Sequence, residues 1–174
     1  MSNAFAKWFA ALWLSGCALV ALVGSAVSFV AEAADCDLST PEFASMDMRR
    51  IGLQDELGNV VQLRVRIADT GPERAAGFQH ICPEIIDLSA ILFVFDYPTT
   101  VQFHMFNVHK SLDIAFISES REVVSIQRME PQQADDPDAV YYRFEQEFLY
   151  ALETAPGFFS QHGLESGHAR LIFY

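Results

Sequence analysis

Positive charge is scarce in this sequence. Lys+Arg number 11 against 23 Asp+Glu, a formal net charge of −12 over 174 residues. No basic stretch interrupts the acidic bias. Phosphate backbones and anionic lipid headgroups repel such a surface at long range, which argues against nucleic acid as a partner. Solubility is the simplest use of the charge, with an acidic docking face as the alternative. The sequence also lacks the Walker and dinucleotide glycine patterns and any G-x-S-x-G elbow, so nucleotide chemistry and serine hydrolysis on those scaffolds have no sequence support. It contains no internal repeat and no low-complexity stretch. No catalytic residue, cofactor or metal site is expected, and the reading leans away from an enzyme.

Long apolar runs are confined to the beginning. Trp8 to Val30 are 23 almost continuously apolar residues after a short start with one cation, Lys7. Ala31, Glu32 and Ala33 follow as a small-residue A-x-A cleavage site. A signal peptide over residues 1–33, cut after Ala33, is the leading expectation, placing the mature protein in the periplasm or outside the cell. Two alternatives stay open. The same run is long enough to remain as a membrane anchor. Leu14, Ser15, Gly16 and Cys17 also spell a lipoprotein-type L-S-G-C, which would leave a lipid on Cys17. The membrane is therefore a partner only through this segment. Removing the leader takes away Lys7 and Glu32 and leaves the charge at −12.

Of the three cysteines, Cys36 and Cys82 remain in the mature chain. An oxidising envelope permits them to pair, with free thiols or a metal pair as the alternatives. An unstrained bridge closing a loop of this size would contribute about 4 kcal/mol through chain entropy.

Beyond the leader, residues 34–50 are polar, acidic and aperiodic, and are expected to form an irregular N-terminal arm. A single β-rich domain is expected over residues 51–174. Val61, Leu63, Val65 and Ile67 alternate with polar neighbours as a half-buried strand does. Thr70 and Glu73 have capping-box spacing with Pro72 in the first turn, predicting a short helix through Phe78 that Gly77 helps to end. Ala90 to Phe95 reads as a buried strand stopped by Asp96, Tyr97 and Pro98. Val101, Phe103 and Met105 alternate, as do Leu112, Ile114 and Phe116, across a polar turn at His109 to Ser111, which predicts a hairpin. Strands at Val123 to Arg128, Phe148 to Glu153 and Ala169 to Tyr174, with a short helix or turn at Ala155 to His162, complete the domain. The expected fold is mainly β: a small barrel or jelly-roll-like sandwich with one or two short helices.

Five histidines, His80, His104, His109, His162 and His168, offer imidazoles but no ligand spacing, since no H-x-H or H-x-x-x-H pair occurs. Two carboxylates are unusual. Asp113 and Glu153 both lie inside apolar strands, where a charge must be satisfied or is costly. The plain reading of each is a structural or solvent-side carboxylate, and the functional reading is contact with a ligand. Asn107, at a strand end, is either a turn residue or part of the same site.

Several segments together carry a resemblance to a known family. They are Ala68, Asp69 and Thr70 with Glu73, Arg74 and Gly77; Leu92 to Phe95; Met105 and Asn107; Leu112, Asp113, Ile114 and Phe116; and Leu152 and Glu153 with Gly157, Gly163 and Gly167. In order and spacing they resemble the domain of unknown function 192, over roughly Gln62 to Leu171. The resemblance implies a compact β-barrel or jelly-roll-like domain, often behind a signal peptide, and no established activity. The family's aromatic-Trp-Met-Lys-Asn-Thr run stands here as Phe103, His104, Met105, Phe106, Asn107 and Val108, and its Pro before Leu-Asp is Ser111.

The leading functional expectation is an exported envelope module in which Met105, Asn107, Asp113 and Glu153 line a concave site for a small polar or glycan-like ligand. The alternatives are a hydrolase using Asp113 and Glu153 as acid and base, and a structural or partner-binding envelope protein without a small-molecule site.

Overall fold

The computed structural model describes residues 36–133 and 136–174. The expectations for the leader, including cleavage after Ala33, retention of Trp8 to Val30 and lipidation of Cys17, lie outside the described residues.

Seven strands carry the architecture: β1 (Asp47–Asp55), β2 (Val60–Ala68), β3 (Ile91–Thr99), β4 (Leu112–Ile117), β5 (Val123–Met129), β6 (Phe148–Thr154) and β7 (Ala169–Phe173). They form one sheet in the order β5-β4-β6-β3-β2-β1-β7. Every pairing is antiparallel except β2 with β3. The edge strands β5 and β7 approach each other at one corner. There Glu122 bridges Arg170, and the Gly167 and Leu171 amides donate to the carbonyls of Val123 and Arg121. The sheet is thereby curled into a barrel-like form, mainly β as its alternating apolar patterns require.

Four short helices, among the described residues, sit around it: α1 (Pro41–Ser45), α2 (Gly71–Ala76), α3 (Pro83–Ile86) and α4 (Phe158–Gln161). The expectation was one or two. Each is a single turn or little more, too short to produce a sustained 3.6-residue period.

The strand alternation sorts the core into two halves. Ile51, Leu53, Val65, Leu92, Ala115, Ile117, Leu152 and Leu171 face the inside of the curl. On the other side of β3, β4 and β6, a second core of Phe93, Ile114, Phe116, Phe148 and Ala151 packs against Phe43 of α1, Phe78 and Ile81 of the turn between α2 and α3, and Ile86 of α3. Strand β4 is therefore buried on both faces.

The arm expected to be irregular over residues 34–50 is more ordered than that. It contains α1, capped by Thr40 accepting from the Phe43 amide, and the first residues of β1. Arg66 donates to the Phe43 carbonyl at 2.8 Å and lies over its ring, docking α1 on β2. The hairpin expected between Val101–Met105 and Leu112–Phe116 does not form. β4 pairs with β5 and β6, while the 101–105 stretch makes one bridge, Phe103 to Tyr142. Phe103 and Met105 are held by side-chain packing on the second core, with Phe103 against Phe93, Phe116 and Phe148. The alternation there records burial without a ladder.

Cys36 and Cys82 form a disulfide. Around it the Asp37 amide donates to the His80 carbonyl at 2.6 Å and the Cys82 amide to the Asp37 carbonyl at 2.9 Å. The arm is thus tied to the turn between α2 and α3.

Candidate functional site

Helix α2 is specified locally. The Thr70 hydroxyl accepts from the Glu73 amide, and the Glu73 carboxylate accepts from the Thr70 amide at 3.2 Å and the Thr70 hydroxyl at 2.8 Å. Ser45 of α1 donates to the other Glu73 oxygen at 2.9 Å. Gly77 ends the helix with φ of 49°, a conformation that side chains resist. A methyl there would lie 3.5 Å from the Phe93 ring and 3.9 Å from Glu153 Oε2. The end of α2 is thus brought against the carboxyl of Glu153 on β6.

Between them lies a cavity of about 290 Å³. Phe78, Phe93, Phe95, Phe103, Val101 and Val108 supply its apolar walls; Arg74, Gln79, Gln102, His104 and Glu153 supply its polar groups. Glu153 is 5% exposed, and no hydrogen bond or ion pair reaches its carboxyl from the described residues. Burial pushes the carboxyl up to about 8, so it is protonated at neutral pH. Arg74 donates to the Asp69 carbonyl and, at 3.0 Å, to the Val94 carbonyl, with its guanidinium over the Phe95 ring. His104 Nδ1 accepts from the Phe106 amide at 3.3 Å, leaving the proton on Nε2. Burial holds its pKa below the ordinary value.

The geometry has a family behind it, since residues 53–171 match DUF192, described as Uncharacterized ACR. The chain belongs to the DUF192 family. Its fold is shared with a Sinorhizobium meliloti protein described provisionally as a transcription regulator, 22% identical, TM-score 0.66, covering 74% of this chain and 95% of that one. A Novosphingobium aromaticivorans protein of unknown function is also similar, at 21% identity and TM-score 0.65, covering 82% and 95%. No curated protein matches the chain.

In this DUF192 domain the four residues singled out from sequence do not share one cavity. Glu153 lines it. Asn107 stands behind the wall: its amide donates to Gln79 Oε1 at 3.3 Å, and its carbonyl accepts from the His80 amide at 2.7 Å. Its φ of 57° is a turn conformation that asparagine tolerates. Met105 is fully buried in the second core. Asp113 faces the other way. In the β4–β6 register Ile114 opposes Glu153 while Asp113 opposes Thr154, so the two carboxylates project from opposite faces of the sheet. Asp113 accepts from Arg128 Nε and, at 2.6 Å, from the Gly157 amide, closing the turn before α4. An acid–base pair of Asp113 and Glu153 has no geometric basis here.

Arg74, Gln79 and His104 belong to the cavity but were not among the residues chosen from sequence. The capping box locates α2, yet nothing in the sequence indicates that its last turn meets β6. No serine, threonine or cysteine lines the cavity. Among the described residues, no group of three His, Cys, Asp or Glu converges as a metal-ligand set. The arrangement is suited to holding a small molecule: apolar walls, a few polar groups, and one carboxyl without a protein partner.

Proposed function

We propose that this protein is an exported envelope protein whose DUF192 domain binds a small organic ligand in the cavity floored by Glu153. The observation that carries the reading is the buried Glu153 carboxyl, which no protein group satisfies, opening into a space walled by phenylalanines. A ligand that hydrogen-bonds to this carboxyl in a cavity shielded from bulk water gains about 0.5–3 kcal/mol, the upper end when the bond is charge-assisted. The phenylalanine walls favour a ligand with an apolar body over a purely polar or glycan-like one. Export is supported by the apolar N-terminal segment with its A-x-A site and by the Cys36–Cys82 disulfide, which suits an oxidising compartment.

The test is thermal unfolding of the full chain against a panel of small metabolites, sugars included. At least one class is expected to raise Tm. Val101→Trp, at a half-exposed position on the cavity lining, is expected to cancel that shift while leaving the unliganded Tm unchanged. A panel that moves nothing overturns the reading. Export is checked by fractionation and intact mass, with the mature chain expected to begin at Ala34.

A further inference from the structure

We propose that the ligand is a compact zwitterion of amino-acid type, with its ammonium against Glu153, its anionic end against Arg74 and its apolar part on the phenylalanine walls. This rests on the cavity reading above and specifies the charge pattern of the occupant.

The argument begins at Glu153. The carboxyl offers only oxygens when ionised, so a partner must bring donors. An ammonium brings three and a compensating charge, which is what a buried carboxylate requires. Phe78, Phe93 and Phe103 line the same cavity, an aromatic surround that favours a cation over an anion. A neutral alcohol or amide could accept a hydrogen bond from the protonated carboxyl but would supply no compensating charge.

Arg74 supplies the opposite half. Two backbone carbonyls and the Phe95 ring fix its guanidinium, and it makes no ion pair with any described residue. In a protein with twice as many acids as bases, an arginine without a carboxylate partner on a cavity wall is available to an anion. Arg74 and Glu153 line one cavity yet lie beyond ion-pair reach of each other. The cavity keeps two opposite charges apart, the complement of a molecule that also carries two. Its volume of about 290 Å³ has room for an amino acid.

Binding of this kind moves a proton. At pH 7 the empty site holds Glu153 protonated, and an arriving ammonium stabilises the carboxylate, so a proton is released to the buffer. Arg74 and His104 are the other titratable groups on the lining. Burial holds the His104 pKa below its ordinary value, so the imidazole is neutral there.

Calorimetric titration of the full chain at pH 7 decides the matter. The probes are small apolar amino acids of both hands, with the amine, carboxylic acid and alcohol of each matching skeleton. An amino acid is expected to bind at least 10-fold more tightly than its matched amine, acid or alcohol. The heat is expected to vary with buffer ionisation enthalpy in the sense of proton release. Glu153→Gln should weaken the amino acid at least 10-fold, and Arg74→Gln should reduce it to the affinity of the matched amine. Tightest binding by an acid or alcohol, or binding by wild type with no proton released, overturns the inference and leaves the cavity reading standing. If no probe of any class binds, the inference falls and the wider panel decides the cavity reading; if binding survives Val101→Trp, both fall together.

Discussion

Glu153 ties the pH dependence of stability to the cavity. Its carboxyl titrates near 4.5 in the unfolded chain and at about 8 in the fold. Below pH 4.5 both states hold the proton and the group costs nothing. Between 4.5 and 8 the folded state holds a proton that the unfolded chain has lost, so stability falls as pH rises, by up to about 5 kcal/mol once pH passes 8. Relative to wild type, Glu153→Gln is therefore expected to gain Tm progressively from pH 5 to pH 9, measured by thermal unfolding in the absence of ligand. Equal slopes would mean that the carboxyl is solvated. Asp113 has its oxygens occupied by Arg128 and by the Gly157 amide. Asp113→Ala leaves the Gly157 amide and Arg128 without their acceptor and is expected to cost about 2–3 kcal/mol in urea unfolding, with ligand affinity unchanged. Both carboxylates were visible in sequence as charges inside apolar strands. Their separation onto opposite faces was not, because β4 is buried on both sides and its apolar run carries no sign of which face a polar residue takes.

Elements that announce themselves locally were the legible ones. The capping box at Thr70 and Glu73 marks α2, and the alternation from Val61 to Ile67 marks β2. The same signals mislead where packing replaces pairing: residues 101–105 alternate as a strand does, yet they form a cover over the second core. β1 was missed because only Ile51 and Leu53 are apolar and buried among Arg49, Arg50, Gly52 and Gln54. Its strand character comes from β2 and β7 on either side. Since α2 is fixed through its N-cap and presents its last turn to the cavity, Thr70→Ala is expected to cost about 1 kcal/mol. It should also weaken ligand binding several-fold through a residue that touches no ligand. Loss of stability with affinity intact would show that Gly77, Arg74 and Gln79 are positioned independently of the cap.

For the whole molecule, the disulfide and the sheet order together set how the fold is held. Cys36 and Cys82 are 46 residues apart, and opening the bridge is expected to cost about 4 kcal/mol in urea unfolding of the reduced protein or of the Cys36→Ser, Cys82→Ser variant. An unchanged midpoint would mean that the hydrogen bonds around Asp37 suffice. The barrel-like class was legible from the number and spacing of short strands, while the strand order was not, since β7 pairs with β1 across almost the whole domain. That pairing has a consequence in time. A chain appearing N-terminus first makes β1 and β2 early, but β1 cannot obtain its second neighbour, nor can the β5–β7 corner close, until Ala169–Phe173 has appeared. The last contacts made are those joining β7 to β1 and to the β5 corner, so the sheet stays open until Ala169–Phe173 joins it.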